Sequence, residues 1–69
     1  MEILKIKNLN QIELGWRKKL IVKTEKGLNV DKGYTSINAI LRDYKNRIIV
    51  SVQEVDHRFR ATREFILCN

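Results

Sequence analysis

The stretch Arg58-Phe59-Arg60-Ala61-Thr62-Arg63-Glu64-Phe65 alternates long cations with small or aromatic residues at the two-residue period of a β-strand. A strand of this kind can bury Phe59 and Phe65 while its guanidinium groups reach toward a polyanion. Arg58 and Arg60 share one face on this reading. Arg63 falls on the face of Phe59, Ala61 and Phe65, where an unpaired cation is costly. An edge position, a carboxylate partner such as Glu54 or a bulge would each relieve that cost, and the edge is the simplest.

Two further groups of cations join this strand. Trp16-Arg17-Lys18-Lys19 sets three consecutive cations after the only tryptophan, and Arg42, Lys45 and Arg47 surround the next turn. If the groups converge, they form a groove that attracts phosphates by charge and counterion release, with Trp16, Tyr34 or Tyr44 stacking on exposed bases. The expected contact set for DNA or RNA is Trp16, Arg17, Lys18, Lys19, Lys45, Arg47, Arg58 and Arg60. The competing view makes these solvated outward positions, several paired with Glu54, Asp56 and Glu64.

Catalytic chemistry finds little footing. The one histidine, His57, sits in a turn between Asp56 and Arg58, and Cys68 lies next to the last residue. Neither has an evident orienting partner. The acids Asp31, Asp43, Glu54, Asp56 and Glu64 lack metal-ligand spacing, and the three glycines are isolated, so no phosphate loop is formed. No enzyme activity, cofactor or metal is expected.

The bulk numbers agree with a binding domain. The net charge is +6, with 14 Lys and Arg against 8 Asp and Glu. Residues 1–26 carry seven cations and three acids, and residues 27–69 carry seven and five, so the excess is not a basic tail. A folded basic domain favours nucleic acid, an anionic membrane surface or an acidic protein as partner. No membrane partner is expected, because the basic, apolar Lys18–Lys23 stretch has strand character and lacks a long amphipathic helix. The 69 residues suit one domain, near the lower limit for a core without staples. A second copy of the chain would extend the burial, which leaves room for a homodimer. One cysteine precludes an internal disulfide, and no apolar run approaches the ~20 residues of a membrane helix. A soluble cytoplasmic protein is therefore expected. Ile, Lys and Asn supply 23 of the 69 residues, the signature of an AT-rich genome such as that of a low-GC bacterium, its phage or an archaeon.

The elements that must position these residues follow from periodicity. Glu2–Lys7 reads as a strand, and Asn10-Gln11-Ile12-Glu13 has the form of a capping box. Lys18–Thr24 is a strand with Leu20 and Val22 inward and Ile21 outward with Lys19 and Lys23. Glu25-Lys26-Gly27 is a turn, after which Leu28–Val30 returns. Ile37, Ile40, Leu41 and Tyr44 repeat at helical spacing behind an N-cap at Thr35 or Ser36, although a strand entering a hairpin at Lys45-Asn46 competes. Arg47–Val55 and Phe59–Leu67 read as an antiparallel hairpin, Ile48, Val50 and Val52 lining one face of its first strand.

The run Lys32-Gly33-Tyr34-Thr35-Ser36-Ile37-Asn38-Ala39-Ile40-Leu41-Arg42-Asp43-Tyr44 resembles the second helix of ribbon-helix-helix antitoxins of the BrnA type. That resemblance implies a dimeric DNA-binding repressor. It omits the family's first helix, is one residue shorter between Gly-Tyr and Ile-Asn-Ala, and is followed by two further strands.

Together these observations predict an α+β domain over residues 1–69, a four- to five-stranded antiparallel sheet with one amphipathic helix. A five-stranded barrel of SH3 or OB type is the all-β alternative. The expected role is non-catalytic nucleic-acid binding. The alternative is a small phage or mobile-element protein that binds and regulates a host protein.

Overall fold

The computed structural model describes residues 1–68. Its chain order is β1 (Glu2–Ile6), a 3-10 turn (Leu9–Gln11), β2 (Lys19–Thr24), β3 (Gly27–Leu28), α1 (Ile37–Asp43), β4 (Ile49–Val55) and β5 (Ala61–Leu67). The five strands form one sheet in the order β1-β5-β4-β2-β3, which is not closed into a barrel. The sheet is mixed rather than purely antiparallel. β1 runs parallel to β5, Glu2 beside Arg63 and Ile6 beside Leu67, while the other pairs are antiparallel.

A parallel pair requires a crossover between its strands, and the whole of β2, α1 and β4 supplies it here. Turn chemistry alone does not disclose such a long-range pairing. At the opposite edge, Glu25 and Lys26 make a two-residue hairpin turn closed by Gly27 at φ 117°, a conformation that glycine adopts without strain.

Residues 37–43 are helical, ahead of the competing strand reading, with Ser36 in the N-cap position but without a capping side-chain bond. The capping box sits two residues earlier than expected. Asn8 receives the Asn10 N–H, and the Gln11 side chain accepts from the Asn8 N–H at 3.0 Å. The helix lies between β3 and β4 on a single sheet, so it does not belong to a ribbon-helix-helix unit.

One face of the sheet packs Leu20, Val22, Val52 and Phe65 against Ile40 of α1 and against Ile6, Leu9, Ile12 and Tyr34. Leu20 is also bridged to Tyr34 by two backbone hydrogen bonds of 2.7 and 2.8 Å. Ile21, expected outward, is buried on the opposite face with Val55.

Two bulges revise the hairpin. Between Lys23–Thr24 of β2 and Ser51–Ile49 of β4 the register slips, leaving Val50 as an extra residue. A bulge reverses side-chain alternation, so Ile49 packs against the core while Ile48 and Val50 are 70% and 40% exposed. The second bulge sets Thr62 as an extra residue between Arg63, opposite Glu54, and Ala61, opposite Val55. β5 begins at Ala61, and Arg58, Phe59 and Arg60 lie in the connecting turn rather than on a strand. Among the described residues no helix is long and apolar enough to cross a membrane.

Candidate nucleic-acid interface

Glu54 organises one end of the sheet. It sits on the core face of β4, 3% exposed, where an unpaired carboxylate would be costly. Its oxygens accept four hydrogen bonds: Arg63 Nε at 2.9 Å and Nη2 at 2.6 Å, Thr62 Oγ1 at 2.8 Å and the Gly15 N–H at 2.9 Å. The bulge makes this set possible by turning Thr62 and Arg63 toward the same acid. The Arg63 guanidinium, joined by the Gly15 and Thr62 donors, holds the Glu54 carboxyl at about 2 against burial. Arg63 is thus an inward cation with a carboxylate partner and not an edge residue. Its Nη2 also donates to the Glu13 carbonyl at 2.8 Å, and its guanidinium lies 4.9 Å from the Phe65 ring.

These bonds fix the loop before Trp16. An added Cβ at Gly15 would lie 3.1 Å from Glu54 Oε2, so a glycine permits the approach. The next residues turn sharply. The Lys18 N–H donates to the Gly15 carbonyl, and Arg17 takes a left-handed φ of 57°. The turn leaves Trp16 81% exposed with the Arg17 guanidinium 4.4 Å from its ring centroid.

A second turn lies at the same end, because the register Lys19–Val55–Ala61 brings the start of β2 beside the β4–β5 connection. Asp56 builds it. Its Oδ1 accepts the Arg58 and Arg60 N–H groups, and its Oδ2 meets Arg60 Nε at 3.3 Å. The Arg60 and Arg58 N–H donors hold the Asp56 carboxyl below its usual value. The Phe59 N–H closes a four-residue turn onto the Asp56 carbonyl, and Phe59 adopts φ 61° with its ring 56% exposed.

This three-residue hairpin loop ordinarily places glycine at the left-handed position, and a bulky side chain there is strained. Phe59→Gly should therefore raise stability by roughly 1 kcal/mol, read as a higher urea midpoint at unchanged slope. An unchanged or lower midpoint would show that the Phe59 ring contributes more to the fold than its strain costs.

The eight expected contact residues divide. Trp16, Arg17, Lys18, Lys19, Arg58 and Arg60 gather at this end. Lys45 and Arg47 lie at the other, beyond the start of β4, about 20 Å away for a strand of this length. Arg47 is bound there to Glu25 at 3.4 Å. Among the described residues, Arg17, Lys18, Lys19 and Arg58 have no ion-pair partner, whereas Arg60 has Asp56. Phe59 belongs to the site although the sequence pattern sends it to the core. A phenylalanine in a glycine position carries no turn signal, which is why periodicity misses it. The tyrosines offered for stacking serve the fold: Tyr34 is buried, donates to Asp43 at 2.8 Å and meets Tyr44 edge-on. Comparison with protein-family models, with curated proteins and with solved structures finds no match to this chain.

Proposed function

We propose that the protein is a non-catalytic nucleic-acid-binding domain whose contact surface is the Trp16–Lys19 turn together with the Arg58–Phe59 tip. The observation that carries this reading is the nearly full exposure of Trp16 on a turn fixed from below, beside four cations without carboxylate partners. Exposed rings offer stacking platforms to unpaired bases, and the cations neutralise the phosphates between them. Preorganisation supports the same reading, since Glu54 and Asp56 hold both turns before any ligand arrives. His57 and Cys68 are at opposite ends of the sheet and do not form a nucleophile–base pair. A cytoplasmic location is part of the proposal and rests on the single free thiol.

Fluorescence anisotropy of labelled oligothymidylate and oligouridylate over a salt series tests the proposal. Affinity should fall steeply with salt, and Lys18→Ala or Arg58→Ala should each reduce the log–log slope by about 0.7. Lys45→Ala should leave the slope unchanged. Absence of binding at ~50 mM salt sinks the reading.

A further inference from the structure

The opposite end of the sheet carries two adjoining hollows, of about 480 and 240 Å³, that share Tyr44 and Arg47. Four cations line them, Lys7, Lys45 and Arg47 in the larger and Lys26 in the smaller, and no carboxylate does. Lys7, Lys26 and Lys45 have no ion-pair partner among the described residues, and Arg47 meets only Glu25. The floor of the larger hollow is aliphatic, made by Leu9, Leu41, Ile49 and Leu67. Leu41 stays 46% exposed although it continues the apolar stripe of α1.

We infer that this groove docks an acidic segment of a partner protein, with a large apolar side chain on the aliphatic floor and carboxylates against Lys7, Lys45 and Arg47. Charge fixes the sign of the occupant, since four cations offset only by Glu25 at Arg47 repel a second copy of this +6 chain. The floor fixes its character. A single strand held by base stacking would need an aromatic platform, and Tyr44 is committed: its ring meets Tyr34 at 5.9 Å and its hydroxyl accepts from Asn29 Nδ2 at 3.1 Å. An aliphatic floor instead favours a branched or aromatic side chain anchored among carboxylates. The site is independent of the aromatic end and does not rest on the nucleic-acid reading.

The test is a nitrogen-15 amide titration of the full chain with a short capped peptide of Asp and Glu carrying Leu and Phe at intervals. Amide shifts should concentrate at residues 7–9, 41–49 and 67. Lys7→Glu combined with Lys45→Glu should weaken binding by on the order of tenfold or more. Leu41→Ser, at an exposed position, should weaken it severalfold without loss of fold. Lys18→Glu should leave it intact. Equal binding of a control peptide with Ser for Leu and Phe would overturn the inference, as would shifts at the Trp16 end or no binding. Oligothymidylate that moves the same groove amides would overturn it in favour of a nucleic-acid track.

Discussion

Replacing Arg63 with Met should destabilise the domain by about 3–5 kcal/mol, the usual consequence of leaving one member of a buried ion pair alone. For a domain of this size that is comparable with the whole folding free energy, roughly 3–10 kcal/mol. The variant should lie at the edge of unfolding at neutral pH, seen by circular dichroism in urea. Glu54 is the group left exposed to this cost, because Arg63 supplies two of its four hydrogen bonds. Glu54→Leu combined with Arg63→Met should recover part of the loss, since two apolar residues need no partner. The Gly15 N–H loses its acceptor in that double variant and the Glu13 carbonyl loses its donor, while the Thr62 hydroxyl keeps the residue-54 carbonyl at 3.1 Å, so recovery should stay incomplete. A single-variant cost under about 1 kcal/mol would show that Glu54 does not depend on Arg63.

The same pair dictates an acid limb. Glu54 has a folded pKa of about 2, below its ordinary 4.5, so its contribution is complete above the ordinary value. It declines as the pH falls through that window and is gone near the folded value. A shift of this size is on the order of 3 kcal/mol. Wild-type stability should therefore drop between about pH 5 and 2, and the Arg63→Met variant should show a flatter limb.

Trp16→Ala should weaken single-strand binding by about 1–3 kcal/mol, from several-fold to about a hundredfold, while leaving the salt slope unchanged. The ring is almost wholly in solvent, so its removal should not alter urea stability by more than a few tenths of a kcal/mol. Binding lost without stability lost would separate a contact residue from a structural one. Arg17→Ala should reduce both the slope and the affinity, because its guanidinium stacks on the Trp16 ring and also carries charge. Duplex DNA should bind more weakly than single strands if stacking contributes as described. Equal affinity of duplex and single strand, with Trp16→Ala neutral, would confine the interaction to charge alone.

Much of the secondary structure is written in short-range patterns. β1, β2, the Glu25–Lys26 turn and α1 follow from alternation, turn residues and the Ile37–Ile40–Tyr44 spacing, all of which act over a few residues. The misread faces of β4 and of the start of β5 come from the two bulges. Periodicity assumes an unbroken ladder, whereas the extra residues Val50 and Thr62 each reverse the faces beyond them. The first bulge exposes Ile48 and brings Ile49 inward, while the turn closed on Asp56 holds Phe59 off the strand. The parallel β1–β5 pair was illegible for another reason, since it joins segments at opposite ends of the chain. For the candidate site, composition pointed to Trp16–Lys19 and Arg58. It did not separate them from Lys45 and Arg47, because charge along a chain carries no record of which end of a sheet it reaches.

The separation of the two ends also gives the protein a built-in optical pair. Its one tryptophan stands on the turn before β2, and its one cysteine follows β5, where the Cys68 N–H is bonded to the Ile6 carbonyl. A thiol-reactive acceptor on Cys68 and the native indole thus mark opposite ends of the sheet, with no engineered position needed. Indole quenching reports occupancy of the aromatic turn, and emission of the attached dye reports the groove. Energy transfer between them reports whether β5 is still held between β1 and β4.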